Sequence, residues 1–384
     1  MTDSVLLNRR SAVLMSSFLA ASALSTNTAS VWAQGGKAPA SKTLVIGQIV
    51  DTSVTQQDVS KDFLIGSRAA WQAVNLKGGI RGVKVTHLTI ETDGTPAGVR
   101  QALDSAQRNP DCIALSGCVG DRVATQLMDA AINRNLGMAN AAPWLQSSDL
   151  VVDDKTFPIF APRRAQITFA LKTLAVMGLQ ELGAVYGSAQ DYAAYHQELE
   201  KIAASLRFKL QPFQGGSNLR QLGQKLTFNT PAVLLFLGGT PELADFTKGL
   251  DQQARQRYVV ALADVNLQVL KDMGAARGTP IVATQPVPLD NAALPVVRAY
   301  RETLARLFDE PPTALSLAGY IAARYTYEVL ASVDTPLTRE TALAAFQKRS
   351  DLDLGGFRIS FDAQRRGSSY VTQSMLARDG RMIG

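Results

Sequence analysis

Short apolar runs alternate with amphipathic stretches along most of the chain. The apolar run at 44–50 leads into a polar loop, after which Phe63, Trp71 and Val74 lie on one face of a predicted helix. Residues 83–91 then alternate apolar and polar side chains, which is typical of a strand. The pattern predicts a β-loop-α-β unit. Its loop lies at the carboxyl end of the first strand, where ligands bind in open α/β sheets.

The same alternation continues to the end of the chain. Strands that alternate with helices predict an α/β fold with parallel sheets and right-handed crossovers. The number of strands fits two sheets better than one. The predicted strands cover residues 44–50, 83–91, 112–116, 137–141, 183–186, 232–237, 259–262 and 281–284. The helices between them include 97–108, 122–133, 166–177, 192–206, 242–254 and 294–307.

Residues 1–33 have the features of an export signal. Two adjacent arginines end a short basic segment, an apolar run of 13 residues follows at 12–24, and cleavage is expected between Ala33 and Gln34. The run is shorter than the ~20 apolar residues of a membrane-spanning helix. Both the general secretory and the twin-arginine route fit the arginine pair. Residues 34–41 are rich in Gly, Ala and Pro and predict a flexible tail.

Composition narrows the class of protein further. Cleavage leaves 351 of the 384 residues, which fits about two domains. The formal charge of +6 is scattered along the chain without a Lys/Arg-rich helix, so the sequence does not indicate a nucleic-acid partner. Neither a dinucleotide fingerprint nor a metal-binding motif is found, and we expect no cofactor.

The two cysteines, Cys112 and Cys118, bracket the apolar run of one predicted strand. Six residues at ~3.3 Å each separate their Cα atoms by roughly 20 Å. A disulfide needs a Cα separation of ~4.4–6.8 Å. We therefore expect two free thiols.

Several motifs occur in the order found in one family. The turn NLKGGIRG at 75–82 matches the N-x-K-G-G-I-x-G pattern of that family. Over residues 42–384 the chain resembles the type I periplasmic solute-binding proteins, the branched-chain amino-acid (Leu/Ile/Val-binding protein-like) receptors of ABC importers. The other motifs are ALSGCVGDRVATQ, FAPRRAQ, AVYGSAQDYAAY, LFLGGTPELADF and FDAQRRG.

The resemblance implies two Rossmann-like lobes with parallel sheets, joined by a hinge of three crossovers. The crossovers are expected in the proline-rich segments 157–164 and 284–290 and between 334 and 355. Two last β stretches, 357–361 and 370–376, are expected to finish the second lobe. The implied lobes are 42–161 with 286–350, and 162–285 with 351–384.

The function implied by the resemblance is that of a periplasmic substrate-binding component of an ABC transporter. Hinge closure would capture an amino acid, an amide or a small organic acid for a permease in the inner membrane, and the protein is expected to be a monomer and not an enzyme. A sensory subunit of a membrane kinase or chemoreceptor is an alternative. A cysteine hydrolase is a third, because Cys118 lies between glycines; neither His87 nor His196 lies in a loop at the strand tips, however.

The resemblance also implies binding residues in the first lobe. The turn Cys118-Val119-Gly120 follows a strand and opens a helix, where free backbone amides favour an anion; it is otherwise a glycine turn that packs the helix on the sheet. Family members hold a ligand carboxylate at this turn. The second loop offers Asn140, Ala141 and Trp144. The indole would wall off the ligand, or it is simply buried beneath the loop.

In the second lobe the implied contacts are Tyr192, Thr240 and Asp264. Tyr192 is the aromatic residue expected to close over the ligand, whereas Tyr186 and Tyr195 are expected in the core or at the surface. Asp264 would pair with a ligand ammonium, or it caps the following helix. The pair Arg163-Arg164 would hold a carboxylate, or it forms a solvated helix start.

Overall fold

The computed structural model of the protein describes residues 43–129, 136–214, 216, 218–275 and 278–384. The predicted export signal and tail lie outside these residues. Among the described helices, none combines the length and the apolar character that crossing a membrane requires.

A parallel five-stranded sheet forms the centre of the first lobe. Its strand order is β2-β1-β3-β4-β5. Every residue of β1 is buried, because helices cover both faces of the sheet, as in other parallel sheets. The strands are β1 (Leu44–Asp51), β2 (Val85–Thr92), β3 (Cys112–Ser116), β4 (Ala139–Ala141) and β5 (Thr156–Phe157).

Six described helices cover this sheet. Helices α2 and α3 pack on one face, and α1, α9, α10 and α11 on the other. Helices α1 and α10 approach closely because glycines face each other: a Cβ on Gly66 would lie 1.7 Å from the carbonyl oxygen of Ser316. The helices are α1 (Gln57–Leu76), α2 (Pro96–Arg108), α3 (Asp121–Leu127), α9 (Pro295–Leu307), α10 (Ala314–Ala331) and α11 (Arg339–Gln347).

The second lobe is built on a sheet with the order β14-β13-β10-β9-β8-β6-β7. Its five earlier strands are parallel, and β13 and β14 extend it antiparallel at one edge. The strands are β6 (Glu181–Tyr186), β7 (Lys209–Gln214), β8 (Val233–Leu237), β9 (Tyr258–Ala261), β10 (Ile281–Gln285), β13 (Thr372–Leu376) and β14 (Met382–Ile383).

One described helix precedes the first strand of the second lobe and four follow its parallel strands, and these five bury two separate apolar clusters against the two faces of its sheet. They are α4 (Arg163–Val176), α5 (Ala189–Ser205), α6 (Leu219–Lys225), α7 (Thr240–Leu250) and α8 (Leu267–Asp272).

The segment around residue 357 differs from the sequence expectation. Strands β11 (Leu352–Asp353) and β12 (Arg358–Ile359) pair with each other rather than with the second sheet. Phe357 and Ile359 are buried in the apolar core of the first lobe, with the rings of Phe357 and Phe160 6.4 Å apart. The chain therefore joins the second sheet only at β13, because the apolar side chains of the segment before β13 are buried in the first lobe.

Candidate functional site

A cavity of about 360 Å³ lies between the two lobes. We call it the interlobe cavity. The first lobe contributes Thr55, Gln56, Asp121 and Arg122. The second contributes the starts of α4 and α7, the first two turns of α5, the last residue of β8 and the residues that follow β8 and β9. The cavity thus lies at the carboxyl ends of parallel strands, where α/β sheets bind ligands.

A larger groove of about 1140 Å³ lies beside the crossovers, between residues 148–153, α4 and residues 362–369. It is more open than the interlobe cavity and borders no carboxyl end of a central strand. Its arginines are engaged with other parts of the protein: Arg164 with Asp149 and Glu198, and Arg366 with the carbonyl of Ser147. We therefore take the interlobe cavity as the candidate site.

Arg163 joins the two lobes at the edge of this cavity. Its side chain is the first of α4 and is only 3% exposed. Nη2 donates to Asp264 Oδ2 at 2.9 Å, and Nη1 and Nη2 both lie 3.3 Å from Asp121 Oδ2. The guanidinium also lies 3.9 Å from the centre of the Tyr195 ring. A buried cation is thus compensated by one carboxylate from each lobe and by an aromatic face.

The two carboxylates around Arg163 have different surroundings. Asp121 also accepts hydrogen bonds from the backbone amides of Gln146 and Ser147, at 2.8 and 3.0 Å, and so fixes the loop before the hinge. Burial raises the pKa of Asp264, while the charge of Arg163 acts to lower it. Asp264 Oδ1 has no hydrogen-bond partner among the described residues.

Two aspartates of α1 reach across to the second lobe. Asp58 accepts a hydrogen bond from the hydroxyl of Thr240. Asp62, one turn further along, accepts from Asn266 Nδ2 of the second lobe and from Thr313 Oγ1 of its own lobe, each at 2.9 Å. Burial raises the pKa of both carboxyl groups, and the charge of Asp62 raises that of Asp58 further. The lobes are therefore closed on each other, with ionisable groups at the contact.

Asp191 and Glu242 lie side by side on the second lobe. Each is the third residue of its helix, α5 and α7. A Cβ on Gly187 would lie 3.3 Å from Asp191 Oδ2 and 3.4 Å from Glu242 Cβ, so both side chains approach this glycine. Burial raises the pKa of both, and the charges of Asp191 and Asp58 raise that of Glu242 further.

Arg122 is the second guanidinium of the cavity. It donates to Ser53 Oγ at 3.1 Å and to Thr55 Oγ1 at 3.3 Å. Within the described part of the chain it has no carboxylate within 4.0 Å. It is also exposed, unlike Arg163.

The predicted anion-binding turn is buried. Cys118, Val119 and Gly120 do not line the cavity. Two amides of the turn that were expected to be free are engaged: Gly117 N donates to the carbonyl of Ala141, and Val119 N to that of Ile49. This placement has a simple cause, because the turn continues the pairing of β3 with its two neighbours, β1 and β4, beyond the end of the strand. The next two residues, Asp121 and Arg122, face the cavity instead.

The second predicted loop is also part of the first lobe's interior. Asn140 and Ala141 lie within β4 and are fully buried. Trp144 is 1% exposed, with its ring centre 5.6 Å from that of Phe63 and 5.2 Å from that of Phe160, both edge-on. Of the two interpretations of Trp144, the geometry matches the buried one.

The second-lobe residues are arranged differently from the sequence expectation. Tyr192 stacks on His196 with ring centres 4.4 Å apart and meets Tyr186 edge-on, outside the cavity wall. Tyr195, expected in the core or at the surface, lines the cavity under Arg163. Thr240 is buried at the contact with α1, and Asp264 lines the cavity but is paired with Arg163.

Sequence reasoning missed two acidic residues of the cavity, Asp191 and Glu242. Ser188 caps α5 and donates to Asp191 at 2.6 Å, so S-x-x-D after a buried strand was a usable signal. A second usable signal was the pair Pro241-Glu242, which comes shortly after the apolar strand and the two glycines at 233–239. The partners of Arg163, by contrast, are 42 and 101 residues away, and no local pattern indicates them.

Comparison with known proteins agrees with this architecture. Residues 43–378 match the family described as periplasmic binding proteins. The chain belongs to this family. No curated protein sequence matches the chain closely enough to count as a relative.

Solved structures of other periplasmic binding proteins share the fold. The extracellular ligand-binding receptor from Verminephrobacter eiseniae is 20% identical, with a TM-score of 0.81 over 89% of this chain and 100% of the other. The substrate binding protein LivJ from Streptococcus pneumoniae, solved with isoleucine, is 14% identical, with a TM-score of 0.75 over 89% and 98%. A fatty acid ABC transporter substrate-binding protein from Thermomonospora curvata is 14% identical, with a TM-score of 0.72 over 88% and 90%.

These relatives differ in ligand while sharing the fold. An isoleucine complex and a fatty acid transporter protein superpose on the same chain. At identities this low the likeness concerns the fold alone. The ligand of this periplasmic binding protein must therefore be argued from the chemistry of its own cavity.

The family is one of binding proteins, and the thiol chemistry of this chain agrees with that. Cys112 and Cys118 are free and buried. Burial raises the pKa of the Cys118 thiol to about 12. A thiol that is neither accessible nor ionised is a poor nucleophile.

Proposed function

We propose that the protein is an exported substrate-binding component of an ABC importer, which captures a small molecule in the interlobe cavity. The observation that carries the proposal is the bridge formed by Arg163, which joins Asp121 of the first lobe to Asp264 of the second beside an enclosed space. A cavity of about 360 Å³ suits a molecule of amino-acid size or somewhat larger. Family membership supports the same role.

The mechanism follows from contacts that exist only when the lobes are closed. Asp58 with Thr240, and Asp62 with Asn266, join α1 to the second lobe. A ligand that touches both walls of the cavity adds contacts to the closed form that the open form lacks. Its binding therefore shifts the population towards closure, by no more than that difference in affinity. A permease in the inner membrane then recognises the closed arrangement.

A thermal-shift screen followed by X-ray scattering tests the proposal. The protein without residues 1–33 is screened against amino acids, amides, amines and small organic acids. A ligand at a hundredfold its dissociation constant adds ~2.7 kcal/mol to the unfolding free energy. The same ligand should either reduce the radius of gyration of the two-lobed protein or keep it at the value of the closed form. A library in which no compound raises the melting temperature would contradict the proposal.

Export and partnership are tested separately. Intact-mass measurement of the periplasmic protein should find Gln34 at the amino terminus. Vesicles that contain the cognate permease should accumulate the ligand only when the binding protein is added. Ligand-dependent activation of a kinase, without accumulation, would indicate a sensory subunit instead.

A further inference from the structure

The interlobe cavity carries an excess of negative charge. Its lining includes four carboxylates and two guanidiniums. Asp58, adjacent to the cavity, adds a fifth carboxylate, whose charge reaches Glu242. A closed space of this kind is costly when it holds only protein, because ionised groups are taken out of water without enough partners of opposite sign.

The guanidinium of Arg163 does not offset this excess. It is committed to Asp121 and Asp264, at 3.3 and 2.9 Å, and its face is covered by Tyr195. The three groups form a closed unit with one more negative than positive charge. A ligand carboxylate at this place would have to displace one of these partners.

Among the described residues, Asp191 and Glu242 form no direct ion pair, although the charges of Arg163 and Arg122 act to lower the pKa of Asp191. Neither has a Lys or Arg nitrogen within 4.0 Å in the described part of the chain. Asp191 accepts a hydrogen bond from the hydroxyl of Ser188, and Glu242 Oε2 has no hydrogen-bond partner among the described residues. The nearby oxygens Gln56 Oε1 and Asp58 Oδ1 are also buried acceptors without a donor. The side of the cavity formed by Asp191 and Glu242 therefore lacks hydrogen-bond donors. We expect the ligand to supply N–H groups there.

The cavity also has an apolar wall, formed by Tyr195, Leu237 and Leu262. No group of three or more His, Cys, Asp or Glu side chains suited to a metal ion is found in the described ranges. A carbon skeleton with a charged nitrogen fits these surroundings better than a metal ion does.

We propose that the ligand class of the interlobe cavity is an organic cation: a small molecule with a net positive charge, whose ammonium or guanidinium group is held between Asp191 and Glu242. The inference rests on the proposed function and specifies its substrate class. The cation would neutralise the two unpaired carboxylates, and its stem would lie along Tyr195 and the two leucines. Arg122 remains available for a carboxylate if the ligand carries one.

Calorimetry on the protein without residues 1–33 tests the inference. The probes are arginine, agmatine and putrescine as cations, leucine and glutamate as the contrast, and calcium chloride as a metal source. At least one cation should bind tenfold or more tightly than leucine and glutamate. Its affinity should fall tenfold or more in Glu242→Gln and in Asp191→Asn. The control is Glu181→Gln, which removes an exposed carboxylate at the other end of β6 and should leave the affinity unchanged.

The outcomes separate this inference from the proposed function. If leucine or glutamate binds more tightly than every cation, or if Glu242→Gln leaves cation affinity unchanged, the cation assignment is overturned while the receptor role stands. Calcium that binds and competes with the organic probes would also overturn it. Unfolding curves of both variants show whether a loss of binding reflects a loss of folding. Neither is expected to be much less stable, since each removes the charge of a partly buried group and keeps the shape of the side chain.

Discussion

Arg163 donates a hydrogen bond to Asp264 at 2.9 Å. The family resemblance predicted that this carboxylate would bind a ligand ammonium, but it is already paired with Arg163. The protein supplies its own cation at this position, and Asp121 of the first lobe binds the same guanidinium. The pair therefore contributes to the contact between the lobes, and the carboxylates left for a ligand are Asp191 and Glu242.

Replacement of Arg163 by Ala should destabilise the protein strongly. The change leaves Asp121 and Asp264 buried without their cation, which costs about 3–5 kcal/mol for a buried pair. Urea unfolding measures the loss. The control is Arg358→Ala, which removes an 86% exposed partner of Asp353 and should cost no more than about 1 kcal/mol. Equal effects of the two changes would contradict the role of Arg163.

Replacement of Trp144 by Ala should cost about 3–5 kcal/mol of unfolding free energy, as expected for a large aromatic side chain lost from a core. The reason is its position between Phe63 and Phe160, where it is 1% exposed. Trp144→Phe should cost less, because it keeps an aromatic ring in the same place. If Trp144→Ala folds with unchanged stability but binds ligand more weakly, Trp144 is a ligand-binding residue and not a core residue.

The close approach of α1 and α10 makes Gly66 sensitive to any side chain. A Cβ there would lie 1.7 Å from Ser316 O and 2.9 Å from Tyr320 N, both backbone atoms. Gly66→Ala should therefore cost about 1–3 kcal/mol or more. Gly137→Ala is the control, because nothing lies within 4 Å of its Cβ position and the change should stay within about 0.5 kcal/mol. Thermal unfolding of the two variants decides the comparison.

The carboxylates at the lobe contact predict a pH dependence of stability. Burial raises the pKa of Asp58 above its ordinary value, so the folded protein holds this proton more tightly than the unfolded chain. This contribution favours folding at low pH and is lost as the pH rises through the raised pKa. The window extends from the ordinary value of ~3.9 towards neutral pH. Asp58→Asn should flatten the decrease of unfolding free energy across it, whereas Glu181→Gln should not; identical slopes would refute the account.

Both thiols should be unreactive in the folded protein. Cys112 and Cys118 are buried, and burial raises the pKa of Cys118 to about 12. Iodoacetamide should add no group to the native protein and two groups in denaturant without reductant, as measured by intact mass. Cys118→Ala should bind ligand like the unmodified protein. Loss of a hydrolytic activity in this variant would support the enzyme alternative.

Much of the fold was predictable because its signals are local. The strands β1, β3 and β8 are largely apolar and buried on both faces, β10 is mostly buried, and the sequence places all four within one or two residues. Strand β7 was missed. It lies at the sheet edge, half of its residues are polar, and it contains Pro212, which an edge strand tolerates.

The site was less predictable, because small shifts along an element decide which side chain reaches the cavity. The turn at 116–120 was correctly expected at a strand end, yet its amides complete the sheet and the cavity begins one residue later, at Asp121. On α5 the aromatic residue at the cavity is Tyr195, because Tyr192 stacks on His196 one turn further along the helix.

The sequence by itself determined the two-lobed α/β architecture and the family, because hydrophobic periods, glycine turns and the order of motifs are properties of neighbouring residues. Only the tertiary structure decided the chemistry of the cavity. Asp121, Arg163 and Asp264 become partners across 42 and 101 residues, and Asp58 meets Thr240 across 182. Which carboxylates are paired and which are left for a ligand depends on how the two lobes close, since each charge is compensated by residues far away in the chain.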